Sequence, residues 1–486
     1  MEWLYSLEVE ITALLSIVLL VVTIPWILLT KRDSTSAVAW CLLVFFVPIF
    51  GSILFVLFGY QHIHRPLKKK RKHKQIFGLT HAALAGDMGF GSELPSDPWN
   101  GLGSLASRFG AFPICGGNQV TFYHEGVSAM KAIQEAIDAA RHHVHLEYFI
   151  FQADETGRAL LELLTKKAKE GVQVRLMYDA MGSRALRRRV LQPLREAGGK
   201  CMPFLPLNPL RRHIQVNMRD HRKIVVVDGR VAFTGGLNIG DEYLGKVPRF
   251  GFWRDTHVRV EGPAVAALQR VFIEGWDFAA EEDLRGPEYF PLFHDKPVTP
   301  SQLSAVSMQV IPSGPDMELK SIREIYFAAV LQARRRVWIA TPYFVPDAGL
   351  RDALCLAGYL GIDVRLLCQH HPDKWIPFYA GRYYWSEVLA AGVKVYQYTK
   401  GMLHSKVMLV DGEWASVGTA NLDNRSLYLN FEVNCLVYSS AAVEELEKAF
   451  RQDLADSILL DPKVYEQRPL PGRLVENASR LLSPVL

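Results

Sequence analysis

Charge is missing from two stretches near the N-terminus. Ile11 to Thr30 is a run of 20 residues, and Ala37 to Tyr60 one of 24, without a single Asp, Glu, Lys or Arg. Each is long enough to cross a hydrocarbon core of about 30 Å as a helix, which excludes an ordinary soluble N-terminus. Lys31 to Ser36 joins them, so the pattern predicts a transmembrane hairpin over residues 1–60, with Pro25 and Pro48 as kinks. A cleaved signal fits poorly, because the first run has no basic start and no small-residue cleavage site and is followed by Lys31-Arg32. A re-entrant hairpin is the competing reading. Cysteine is scarce too: Cys41, Cys115, Cys201, Cys355, Cys368 and Cys435 form no CxxC pair and no metal-ligand spacing, so they read as free thiols of a reducing compartment.

Acids are absent from Gln61 to Lys74, where seven Lys or Arg gather. The positive-inside rule then places both termini and the main part of the chain in the cytoplasm, beside an anionic lipid surface. The formal net charge is +5, and removing those seven leaves 5 − 7 = −2 for the remainder. That is not the basic body of a nucleic-acid binder, and no nucleic acid is expected as partner.

What is present is a duplicated motif. His221-Arg-Lys223-Ile-Val-Val-Val-Asp228 matches His404-Ser-Lys406-Val-Met-Leu-Val-Asp411 as His-x-Lys-x4-Asp, and an Asn follows each His after 17 residues, Asn238 and Asn421. His and Lys two apart on a strand share a face. An imidazole beside a fixed cation suits attack on an anionic phosphodiester, and a second imidazole can protonate the leaving oxygen. Asp228 and Asp411 sit at odd offset before Gly, so strand parity turns them away from the phosphate to brace the turn. Asn238 and Asn421 are candidate amide donors to phosphate, and Thr419 adds a hydroxyl where the first copy has Gly236. On the strand after each motif lies a candidate carboxylate for that motif's own histidine, Asp255 for His221 and Glu432 for His404, at unequal offsets of 34 and 28 residues.

A longer repeat surrounds the motifs: His142–Ile150 answers Arg335–Val345, and Gly171–Met177 answers Gly361–Leu367. Helical and β-branched stretches alternate, so the expected fold is α/β, with two pseudo-symmetric halves and largely parallel sheet. The boundaries are 1–60 for the membrane hairpin, 61–107 for a basic tether, 108–285 for the first half, 286–304 for a linker and 305–486 for the second half. The aromatic run Trp375–Tyr379 with Tyr383–Trp385 reads as core or as a headgroup-level belt. Arg187–Arg189 and Arg211-Arg212 read as solvated faces or lipid contacts, and Leu474 to Leu482 as an amphipathic tail.

The paired motifs resemble the phospholipase D superfamily. Longer strings, Thr341-Pro-Tyr-Phe-Val-Pro-Asp347, Gly235-Gly-Leu-Asn-Ile-Gly-Asp-Glu-Tyr243, Phe252-Trp-Arg-Asp-Thr-His257 and Gly418-Thr-Ala-Asn-Leu-Asp-Asn-Arg-Ser426, are similar to the two-span bacterial cardiolipin synthases. The resemblance implies a cell-membrane phosphatidyltransferase that joins two phosphatidylglycerols into cardiolipin and glycerol through a phosphatidyl-histidine. His221, Lys223, Asp228, His404, Lys406 and Asp411 would form the catalytic set, without metal or other cofactor. It favours His221 as nucleophile, although the residues themselves treat both histidines alike. Hydrolysis by the same site, the use of phosphatidylethanolamine as second lipid, and the oligomeric state stay open at this stage.

Overall fold

The computed structural model describes residues 2–31, 34–59, 99–206, 217–284, 286–291, 306–317 and 319–486. The basic run, Arg211-Arg212 and most of the 286–304 linker lie outside the described residues. Two units are described, each by itself.

The N-terminal unit begins with α1 (Glu2–Thr30). Its apolar part, Glu8–Thr30, spans 23 residues and is almost wholly uncovered by protein, enough for about 35 Å at 1.5 Å per residue. The second uncharged run is not one helix. It is divided into α2 (Ser34–Phe46), α3 (Pro48–Leu54) and a π-helical turn Phe55–Gly59. The break falls at Val47, with φ −135° and ψ 72°, because a residue ahead of proline is driven out of the helical region. Of the expected pair of spanning helices, α1 alone among the described helices has the length to cross a membrane.

In the second unit the first half supplies β1 (Cys115–Glu125), β2 (His143–Tyr148), β3 (Gln173–Asp179), β4 (Lys200–Phe204), β5 (Lys223–Val227), β6 (Val231–Gly235) and β7 (Phe252–Glu261). The second half supplies β8 (Val306–Ser313), β9 (Arg336–Ala340), β10 (Phe344–Val345), β11 (Asp363–Gln369), β12 (Lys394–Tyr398), β13 (Gly401–Leu403), β14 (Val407–Val410), β15 (Trp414–Gly418), β16 (Leu422–Asp423), β17 (Glu432–Val437) and β18 (Ser457–Leu459).

All but β10 and β16 belong to one sheet, in the order β18-β12-β11-β9-β14-β15-β17-β8-β1-β7-β6-β5-β2-β3-β4, with β13 added to β7. From the β1–β8 seam outward the two halves repeat one another, with β7 answering β17, β6 answering β15 and β5 answering β14. Expectation and structure differ in strand direction. Along the main path of the sheet only the outer strands pair in parallel, β2–β3–β4 and β9–β11–β12; off that path β13 lies parallel to β7, and β10 pairs in parallel with β16. The motif hairpins, their neighbours and the seam are antiparallel, because a three-residue turn cannot return a strand in parallel. The sheet is therefore mixed.

Helices cover both faces, which is why the motif strands Lys-Ile-Val-Val-Val and Val-Met-Leu-Val read as apolar runs rather than alternations. The part of the expected tether that is described, Trp99–Arg108, is a helix rather than loose chain. Trp99 stacks on Trp414 at 6.0 Å and donates its indole N–H to Glu413 at 2.8 Å. Of the aromatic run, Tyr384 and Trp385 are core residues, whereas Trp375 is exposed. The tail forms a helix, Leu470–Arg480, with Leu474 and Leu481 exposed.

Candidate functional site

Each motif hairpin turns at Asp-Gly. Asp228 and Gly229 have φ of 53° and 64°, and Asp411 and Gly412 have 56° and 76°. Left-handed backbone of this kind is tolerated by Asp and Gly. The Asp228 carboxylate accepts the backbone N–H groups of Arg141, His142 and His143, each at 2.8 Å. Asp411 does the same for Arg334, Arg335 and Arg336, again at 2.8 Å. Both aspartates thus tie the motif hairpin to the neighbouring strand, the bracing place that strand parity predicts for them.

His221 precedes β5 and His404 precedes β14, and both are buried. Their carboxylate partners are exchanged between the halves relative to the sequence expectation. His221 Nδ1 lies 2.9 Å from Glu432 Oε1, and His404 Nδ1 lies 2.8 Å from Asp255 Oδ2. The exchange is built into the backbone. His221 N donates to Phe431 O at 2.9 Å, Phe431 N donates to Arg219 O at 2.9 Å, and His404 N donates to Arg254 O at 2.7 Å. β13 runs alongside β7 with Leu403 opposite Arg254, so the residue after Arg254 meets the residue after Leu403. Within-half pairing fails because each carboxylate strand runs beside the other half's motif. Thr256 and Ser405 hydroxyls, 2.7 Å apart, add a further stitch.

A carboxylate on Nδ1 fixes the ring proton there and leaves the lone pair on Nε2. Lys406 Nζ also lies 2.8 Å from His404 Nδ1, but that nitrogen cannot donate to Asp255 and accept from Lys406 at once. The ammonium is accordingly held by the carbonyl of His404. Lys223 is held in the same way, 2.6 Å from the carbonyl of His221.

The electrostatics of the halves are unequal. Burial, with Lys223 and Lys406 adding to it, pushes His221 well below its usual value. Burial and Lys406 bring His404 to about 4, against the opposing pull of Asp255. Burial lowers Lys223 to about 7 and Lys406 to about 8. Glu432 is pushed up to about 8 by burial, despite Lys223. Burial also acts to raise Asp255, but Lys406 and His404 outweigh it and hold this carboxyl below the usual range. Asp255 is a firm anion, whereas Glu432 takes a proton readily. Without a ligand the buried site therefore disfavours surplus positive charge, a deficit that a bound phosphodiester anion would repair.

The supporting residues fall differently from expectation. The Thr419 hydroxyl donates to Glu432 Oε2 at 2.5 Å instead of facing the reacting centre. At the corresponding position a Cβ on Gly236 would stand 2.0 Å from Asp255 Oδ1, so the closer approach of the shorter carboxylate requires glycine. Asn238 Oδ1 accepts Ile150 N–H at 3.3 Å, and Asn421 Nδ2 donates to Asp423 at 3.1 Å.

Several contributors carry no motif of their own. The Phe149 ring packs 4.9 Å from His221, and Trp253 packs 5.3 Å from His404. Arg254 is clamped by Asp453 at 2.7 Å, and Lys374 adds to the positive potential at His221. Phe149 stands inside the repeated string His142–Ile150, and Trp253 inside the string Phe252–His257. The Asp453 and Lys374 contacts are tertiary and leave no local trace. Among the described residues no group of His, Cys, Asp and Glu is arranged to hold a metal ion.

Comparison with known proteins agrees with this geometry. The family described as cardiolipin synthase, PLD-like domain, matches residues 133–270 and 326–454, one match over each motif. The phospholipase D-nuclease N-terminal family matches residues 14–59. The cardiolipin synthase of Geobacillus kaustophilus is 42% identical over 468 residues, covering 94% of this chain and 90% of the relative. That of Listeria welshimeri is 37% identical over 486 residues, covering 98% and 99%. Among solved structures, phosphatidylserine synthase of Haemophilus influenzae superposes with a TM-score of 0.57 at 19% identity, over 76% of this chain and 95% of that one, and shares the fold. Matched across both repeats and along nearly its whole length, the chain belongs to the cardiolipin synthase family of phospholipase D-like proteins.

Proposed function

We propose that this protein is a membrane phosphatidyltransferase that converts two phosphatidylglycerols into cardiolipin and glycerol, with its two-repeat body in the cytoplasm of a bacterial cell. The observation that carries the reading is the exchanged pairing of His221 with Glu432 and His404 with Asp255. It orients two imidazoles at one centre and makes them unequal.

His221 Nε2 attacks phosphorus, and the bond from phosphorus to the glycerol oxygen breaks. The departing oxygen takes the proton from His404 Nε2, whose imidazolium is stabilised by the firmly anionic Asp255. As His221 becomes a phosphatidyl-imidazolium, its Nδ1 proton shifts toward Glu432, a carboxylate of raised proton affinity. The free glycerol hydroxyl of a second phosphatidylglycerol then gives its proton to His404, attacks phosphorus and releases His221. Lys223 and Lys406, recharged by the bound anion, offset the charge on the equatorial oxygens. Asn238 and Asn421 are the proposed amide donors, Asn421 by turning from Asp423. Burial of the site keeps water from competing with the lipid hydroxyl.

The test is a lipid product assay on the purified chain with phosphatidylglycerol as sole lipid. Cardiolipin and glycerol in equal amounts are expected. Phosphatidic acid as the main product would replace transfer by hydrolysis.

A further inference from the structure

The second uncharged run folds back on itself. A Cβ on Gly51 would meet Leu43 O at 2.8 Å and Val44 Cα at 2.9 Å, whereas residues seven or eight apart in a continuous helix are separated by about 10–12 Å along the axis. At the far end, a Cβ on Gly59 would stand 2.8 Å from the Trp40 ring, and Phe55 packs on Trp40 at 5.5 Å. The segment is a helical hairpin with its apex at Val47-Pro48.

Contacts with α1 give its direction. Thr23 Oγ1 donates to Ser52 Oγ at 3.1 Å, and Trp26 packs against Phe55 at 5.7 Å. Three residues along α3 and into its π turn match three residues along α1, so α3 runs parallel to α1 and α2 runs against both. Gly59 therefore ends beside Thr30, at the same end of the unit where α2 began.

Lengths agree. The 13 residues of α2 reach about 20 Å. The 7 residues of α3 and the 5 of its π turn together reach about 18 Å. Both fall short of a core of about 30 Å, which α1 exceeds.

We propose that this unit crosses the bilayer once, through α1, and that α2 and α3 form a re-entrant hairpin in the leaflet nearest Thr30, so that the start of α1 and everything beyond Gly59 lie on opposite sides. Acyl chains would cover the outward side chains Leu42, Phe45, Phe46, Phe50 and Ile53, all more than half exposed. The apex is suited to a buried position: Pro48 has no N–H to leave unpaired, and Val47 N donates to Leu43 O at 3.0 Å.

Charge distribution agrees independently. In a two-span arrangement Lys31 and Arg32 would face away from the basic run Gln61–Lys74. With one crossing, 2 + 7 = 9 basic residues share a side, and Glu2, Glu8 and Glu10, with no Lys or Arg near them, hold the other. This is the asymmetry that sets orientation in membranes.

The experiment uses the full chain with one epitope ahead of Met1 and another after Leu486, the product assay confirming that the tagged chain is active. Antibody and protease access are read in spheroplasts before and after permeabilisation. The front epitope should be accessible at once and the rear one only after permeabilisation. Both epitopes on one side would overturn the single crossing. Opposite sides with the rear epitope outside would keep the crossing and reverse the cytoplasmic placement under Proposed function, so the two readings fail separately.

Discussion

His221 takes its carboxylate from Glu432, 211 residues further along the chain and in the other repeat, at 2.9–3.0 Å. The reciprocal bond joins His404 to Asp255, 149 residues apart. Neither repeat alone contains an imidazole with its partner.

Asp255→Asn should act on His404. Asp255 opposes the burial that lowers His404, so its removal lowers that pKa further and leaves less of the protonated acid at neutral pH. The alkaline limb of the rate profile should move to lower pH, with kcat down by roughly 10²–10⁴-fold. A limb that stays in place for Asp255→Asn and moves for Glu432→Gln would mean that the partners are not exchanged.

His221→Ala and His404→Ala should each abolish cardiolipin formation, because these rings make bonds and carry protons. Lys223→Ala and Lys406→Ala should leave a trace, with losses of about 10²–10³-fold for a charge-stabilising donor. Near-normal turnover of His404→Ala in the product assay would rule out the two-histidine mechanism.

The exchange was not legible in the sequence, although each of its members was. Motif spacing singled out both histidines, both lysines and both carboxylates, because local periodicity and composition mark them. Which carboxylate meets which ring depends on β13 lying beside β7 and on Phe431 bonding to Arg219, contacts between distant segments with no periodic signature. The seam strands β1 and β8 likewise fell outside the repeat as read, so the sheet looked more parallel than it is. Thr419 stood out as an extra hydroxyl beside the phosphate donors, whereas in the structure it bonds Glu432. The break at Val47-Pro48 stood in the sequence as a proline, but a kink and a reversal look alike without Gly51 and Gly59 packed against the preceding helix.

Asp411→Ala should destabilise the protein without touching the chemistry. Three part-buried backbone N–H groups lose a shared acceptor, and because water reaches some of them the loss should total about 1–3 kcal/mol. Thermal unfolding measures this. An unchanged Tm would remove the bracing role.

Activity should persist in excess chelator, since two lysines stand where a phosphoryl-transfer site needs positive charge and no metal-binding group occurs among the described residues. Loss with EDTA and recovery with one particular divalent cation would contradict this.

Cardiolipin incubated with a large excess of glycerol should regenerate phosphatidylglycerol. One diester replaces another through the same intermediate, so mass action sets the direction. Dominance of phosphatidic acid even at high glycerol would point to water as the true acceptor.

The distance between His221 and Glu432 along the chain also has a meaning in time. At about 5–20 residues per second, a ribosome needs about 10–40 s to add the 211 residues that separate them. During that interval the nascent chain already carries the first histidine and lysine but no group to orient the ring. If the reaction proposed above is right, a chain not yet extended to Glu432 should be inert toward lipid, and activity should begin only when the second repeat has closed onto the first.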